Sequence, residues 1–210
     1  MNTLSLTTPR VIFLVGIPGA GKTFFGKKFA DTYGAPFIEL EKLRYTLFET
    51  PTFSGDEQHR LEAVMAAQFA ELLKTKRTII FEGGLETRSA RARLAKQARA
   101  AGYKPLFVWV QTEPTTAQQR AVRGGRSGEQ EYLISAERFN QLVAQFTAPN
   151  HTERFVVISG KHTYPSQAKA VLRHIAEIPQ ITKAATKPHI TVPERPAQPV
   201  RKTTQRISLR

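Results

Sequence analysis

The feature that most constrains this chain is a glycine-rich turn between two elements whose nature is plain from their residues. Arg10-Val-Ile-Phe-Leu-Val15 is apolar at nearly every position, and Gly16-Ile-Pro-Gly-Ala-Gly21-Lys22-Thr23 follows it directly. An uninterrupted apolar run reads as a strand buried on both faces, the signature of a parallel sheet covered on each side by helices. After the turn, residues from Lys22 to Gly34 read as a helix closed by a glycine C-cap. The turn matches G-x4-G-K-[ST] at every specified position. Its glycines let the backbone wind with N–H groups facing inward, and the helix N-terminus adds positive partial charge. This cradle suits a nucleotide's phosphates, with Gly16, Ile17, Pro18, Gly19, Ala20, Gly21, Lys22, Thr23 and Phe24 as the binding segment. Lys22 is placed to bridge the β- and γ-phosphates and Thr23 to ligate Mg²⁺, so ATP and Mg²⁺ are the expected cofactors.

The pattern repeats along the chain. Pro36–Leu40, Thr78–Phe81, Pro105–Val110 and Arg154–Ser159 read as further strands. Between them lie helical patterns: one after Ser54-Gly-Asp56 with Leu61, Val64, Met65, Phe69, Leu72 and Leu73 on one face, one from Thr87 to Gly102, and one from Ser166 to Ile178. Alternation of this kind predicts an α/β fold of three layers around a five-stranded parallel sheet. Trp109, within the fourth strand, is expected in the core. The predicted organisation is an N-terminal extension (1–9), an ATP-binding domain (10–178) and a basic tail (179–210).

Acids near the metal are few. The chain has only two aspartates, Asp31 inside the first helix and Asp56 as a helix cap, so neither serves the cradle. Glu82, at the end of the third strand, is the expected second metal group, directly or through a water. Glu41 follows the second strand, where an acceptor hydroxyl would arrive, and suits a general base. Glu39 is its rival on the opposite strand face. Arg44 lies one helical turn after Glu41 and suits an anionic or hydroxyl-rich acceptor, the plainer alternative being an i,i+3 surface pair. Arg120, Arg123 and Arg126 share a face and precede or flank the hinge Gly124-Gly125; they read as a lid closing on ATP or as a basic surface helix. Arg88 and Arg91 are candidates for the active-site rim.

These blocks resemble the small P-loop kinases, especially the polynucleotide 5′-kinase and zeta-toxin-like group of AAA-type ATP-binding domains. The resemblance rests on Gly16–Thr23, on Glu41-Lys-Leu-Arg44, on Ile79-Ile-Phe-Glu82-Gly-Gly-Leu85 and on Arg120-x-x-Arg123-x-x-Arg126, followed by Phe146-Thr-Ala-Pro149 and Glu153. It implies a kinase-type P-loop fold and transfer of the ATP γ-phosphoryl to a hydroxyl. Lys22, Glu41, Arg44, Arg123 and Arg126 are the implied catalytic set, Arg120 and Lys161 contact the nucleotide, and Thr23 and Glu82 serve the metal. The expected acceptor is a polynucleotide 5′-hydroxyl, or else a small sugar or nucleotide-sugar hydroxyl. Two departures stand out: Glu41 occupies a position that is normally Asp, and Glu82-Gly83-Gly84 replaces the usual Asp-x-Asn. An extra methylene moves each carboxylate by about an ångström where positioning dominates the chemistry. An ATP-binding regulatory or scaffold protein with little transfer is therefore the alternative.

Charge bears on the partner. The 210 residues hold 31 Lys+Arg against 17 Asp+Glu, a net of +14. Residues 180–210 contribute seven Lys/Arg against one acid, Glu194, a net of +6, with scattered prolines and little apolar periodicity. Such a tail is expected to be disordered, and it either attracts polyanions, a nucleic acid acceptor included, or merely solubilises. The absence of cysteine excludes disulfides, thiolate metal sites and a Cys nucleophile. The five histidines lack metal-ligand spacing. No early apolar run is long enough for a membrane span or a signal core, so no membrane contact is expected and the location predicted is the cytoplasm.

Overall fold

The computed structural model describes residues 8–124 and 132–176. Most of the expected N-terminal extension, Gly125 and Arg126 of the expected lid, and the basic tail lie outside the described residues. In chain order the elements are β1 (Arg10–Val15), α1 (Lys22–Tyr33), β2 (Phe37–Glu39), α2 (Leu40–Leu47), α3 (Gly55–Lys74), β3 (Ile79–Glu82), α4 (Arg88–Ala100), β4 (Lys104–Gln111), α5 (Pro114–Arg123), α6 (Ala136–Gln145), β5 (Phe155–Ser159) and α7 (Tyr164–Ala176). The five strands form one parallel sheet in the order β2-β3-β1-β4-β5. The fold is thus the three-layer α/β arrangement read from the sequence.

The central strand β1 is buried along its whole length because it feeds two cores at once. Val11, Phe13 and Val15 join Ile79, Phe81 and Phe107 beneath α3 and α4. Ile12 and Leu14 join Ile80, Leu106 and Val108 beneath α1 and α7. Phe13 stacks on Phe107 at 5.2 Å between ring centroids and meets Phe81 edge-on at 5.5 Å. Burying each such aromatic ring stabilises by about 1.5–3 kcal/mol.

Helix ends follow capping chemistry. Ser54 Oγ accepts from Glu57 N at the start of α3, Thr87 Oγ1 from Ala90 N in α4, and Ser135 Oγ from Arg138 N in α6. Asp56 is therefore a first-turn residue of α3 and not its cap. Gly34, in the left-handed region at φ 61°, ends α1 and donates to Ala30 O.

Two sequence expectations need correction, and one helix was not anticipated. The second strand stops at Glu39, and Glu41 is the second residue of α2, not part of a strand end. Helix α6, not anticipated from the sequence, packs Phe139 on Ala117 and Ala121 of α5, with Val143 against the same cluster. Trp109 is only half-buried: edge strand β5 leaves its neighbour Val157 43% exposed, and Trp109 meets Phe155 edge-on at the sheet margin. Among the described residues no helix is long and apolar enough to cross a membrane.

Candidate active site

The chain passes from one side of β1 to the other after β3, and the carboxyl ends of β1, β2 and β3 open on a common crevice, the position where α/β sheets bind ligands. A cleft of about 1500 Å³ occupies it. That exceeds the roughly 300–1,000 Å³ of a single small-molecule site, so two substrates fit side by side. Its lining includes Pro18, Gly19, Gly21, Lys22, Thr23 and Phe24 of the loop and its helix, and Glu41, Arg44, Phe53, Gln58 and Arg138 from α2, α3, α6 and the segment before α3.

The loop's shape depends on its glycines. Gly19 has φ 71°, and a Cβ there would lie 2.1 Å from Ala117 O of α5. Lys22 Nζ donates to Ile17 O at 3.1 Å and lies 3.9 Å from Glu82 Oε1. Thr23 Oγ1 donates to the same Oε1 at 3.0 Å. Glu82 is 8% exposed, and its Oε2 is buried without a hydrogen-bond partner. Burial pushes its pKa up to about 7; Lys22 and the Thr23 hydroxyl oppose this, and Glu39 and Glu41 add to it. A hydroxyl beside a carboxylate with an unused buried oxygen is a donor set that fits Mg²⁺, a hard cation that keeps several waters and takes one or two protein oxygens together with substrate phosphates. Among the described residues no group of three or more His, Asp or Glu could hold a metal by itself.

Glu39 stands beside Glu82, its register partner across β2 and β3, and lines the same cleft. It is buried, with Lys27 Nζ 3.9 Å from its Oε2. The expectation that Glu39 faces away from Glu41 fails: residues two apart along a strand share a face, and with α2 beginning at Leu40 both carboxylates line the cleft. Glu41 is raised by desolvation, an effect opposed by Arg44, Lys22 and Arg138.

Arg44 is only 2% exposed. Its Nε donates to Glu41 Oε2 at 3.2 Å, Nη1 to Glu57 Oε1, and Nη2 to Gln58 Oε1 at 2.8 Å. Glu57 Oε2 accepts in turn from Thr52 N, Thr52 Oγ1 and Phe53 N. Against the desolvation of the site, these donors hold the Glu57 carboxyl below its ordinary pKa. The sequence flagged Arg44 but not Glu57, thirteen residues away in α3.

Other expected site residues lie elsewhere. Arg91 is fully buried: Nε and Nη2 hold Glu153 at 2.6 and 2.9 Å, and Nη1 donates to Leu85 O and Thr147 O. It braces α4 against the segment before β5 and does not reach the rim; Arg88 donates to Thr152 Oγ1. Arg120 lines the cleft and donates to Gly160 O at 3.1 Å, while Arg123 is exposed at the end of α5 and is not among the lining residues. Lys161 pairs with Glu113 at 2.7 Å and, with Ile17, Trp109 and Val157, lines a separate hollow of about 510 Å³.

Sheet order, loop and acid together define a P-loop fold of the kinase type. The sequence matches the AAA domain family over residues 11–149, and the chain belongs to that family. No curated protein matches the chain in sequence. Solved structures share the fold. A sugar kinase from Janibacter sp. HTCC2649 superposes with a TM-score of 0.60 at 16% identity, over 80% of this chain and 95% of that one. The gluconokinase from Sinorhizobium meliloti 1021 gives 0.57 at 18%, over 80% and 92%. A chain of the Pnkp1/Rnl/Hen1 RNA repair complex gives 0.55 at 18%, over 68% of this chain and 45% of that one.

Proposed function

We propose that this protein is an ATP-dependent phosphotransferase that moves the γ-phosphoryl to a hydroxyl acceptor. The observation that carries this reading is the convergence of Lys22, Thr23 and Glu82 at the loop with Glu41 in the same cleft. The loop amides and Lys22 bind the phosphates, and Arg120 adds positive charge on the nucleotide side. Thr23 and Glu82 would hold Mg²⁺, which would supply positive charge at the phosphates. Glu41 accepts the acceptor's proton; its raised pKa makes it a better base than an ordinary surface glutamate. Glu39, with Lys27 Nζ 3.9 Å from its Oε2, stands beside Glu82 at the strand end.

A polynucleotide 5′-hydroxyl is the acceptor favoured first, because the net charge of +14 suits a polyanion and the Pnkp1 complex is an RNA repair assembly. A small sugar hydroxyl comes second, on the likeness to the sugar kinase and gluconokinase. Transfer of labelled γ-phosphate from ATP into a pool of 5′-hydroxyl oligonucleotides, sugars and nucleotide-sugars tests the reading. Label is expected in one product and is expected to vanish with Lys22→Ala; Glu41→Gln should lower kcat by at least a hundredfold, the scale of general-base catalysis. ATP binding with no labelled product from any acceptor would support instead a nucleotide-binding regulatory protein, which the two Asp-to-Glu departures favour.

A further inference from the structure

Arg44 is the cation that sequence reasoning sets against the acceptor, yet its guanidinium is committed inside the protein to Glu41, Glu57 and Gln58. Turning it toward a ligand would strand Glu57 as a buried, unpaired charge. A different cation faces the same space. Arg138 lines the cleft from the first turn of α6, half-buried, its Cζ 5.8 Å from the centroid of the Phe53 ring. Arg44 Cζ lies 4.7 Å from that same ring.

Phe53 itself is in an unusual state. Its φ is 55°, rare for a residue with a bulky side chain, and Glu57 holds it there by accepting its N–H at 3.0 Å. Strain of this kind concentrates at ligand clamps. Arg138 in turn has little to do for its own helix. A cation in a first turn opposes the helix dipole. Its guanidinium makes one long hydrogen bond, 3.4 Å to Gln141 Oε1, and pairs with no carboxylate among the described residues. Its field nevertheless reaches the Glu41 carboxylate.

We propose that Arg138, seated on the Phe53 ring, selects the acceptor by binding an anionic group, phosphate or carboxylate, carried near the hydroxyl presented to Glu41. Arg44 acts as a positioning residue for Glu41 and does not touch the acceptor. This inference rests on reading the cleft as a phosphotransferase site.

The test uses the full chain with Mg²⁺ and AMPPNP, and calorimetry with two probe pairs: thymidine 3′-phosphate against thymidine, and gluconate against glucose. One anionic member is expected to bind at least tenfold more tightly than its neutral partner, the pair identifying the anion's source. Arg138→Gln should abolish that preference while AMPPNP still binds, and Arg138→Lys should restore part of it. With labelled ATP, Arg138→Gln should raise the acceptor KM by more than it lowers kcat, whereas Arg44→Lys should mainly lower kcat and shift its pH profile. Equal binding within both pairs, binding of neither anion, or a preference that survives Arg138→Gln overturns the proposal. An Arg138-dependent anion preference without label transfer would uphold the anion site at Arg138 but refute phosphotransfer and with it acceptor selection; transfer without the preference would refute the anion site and leave phosphotransfer standing.

Discussion

Glu82 offers a direct measurement of what the site costs the fold. Its carboxyl is buried, with a pKa raised from an ordinary 4.5 to about 7. Because the folded pKa lies above the unfolded one, folding opposes ionisation. The penalty is absent below about pH 4.5, grows as pH rises to 7, and is complete above it. A shift of this size corresponds to about 3 kcal/mol. Glu82→Gln keeps an oxygen to accept from Thr23 Oγ1 but carries no charge. The variant should therefore be more stable than the parent at pH 8 by up to about 3 kcal/mol, on the order of 5–10 °C in Tm for a chain of this size. The two should melt together near pH 4.5. Thermal melts in EDTA, without nucleotide, at pH 8, 6.5 and 5 read the difference. Equal Tm at pH 8, or a gap that fails to close on acidification, would refute the argument. Adding Mg²⁺ with AMPPNP should reverse the order, because only the carboxylate gains from the metal.

Arg91→Met leaves Glu153 largely buried and unpaired and should cost about 3–5 kcal/mol, read by urea titration, with nucleotide affinity retained in the folded fraction. Gly83→Ala places a Cβ 2.2 Å from Leu40 Cβ at φ 109°, forcing β3's exit away from α2. It should destabilise by about 1–3 kcal/mol and weaken Mg²⁺-dependent AMPPNP binding, checked by melts and titration.

Much of the architecture was legible because its causes are local. The cradle occupies eight consecutive residues, β1 reads as buried from its own composition, and Glu82 is recognisable as the acid ending a strand. The site beyond the loop was less legible because its contacts span elements. Periodicity argues faces only within one element: residues two apart in a strand share a face, so alternation does not separate Glu39 from Glu41, and the helix that begins at Leu40 leaves both on the cleft. Arg91 looked like a rim residue by its position at the start of α4, but its partner Glu153 is 62 residues on, and the pairing turns it inward. The same holds for Arg138, an unremarkable helix residue until Phe53 is placed beneath it.

The sequence by itself determined a phosphate-binding turn on a covered parallel sheet, since backbone winding and burial of β1 depend on neighbours along the chain. Only the tertiary structure decided which charges face the cleft and which are locked away. Ion pairs form wherever packing brings partners together, and that packing is set by strand register and helix placement over distances that no local pattern encodes.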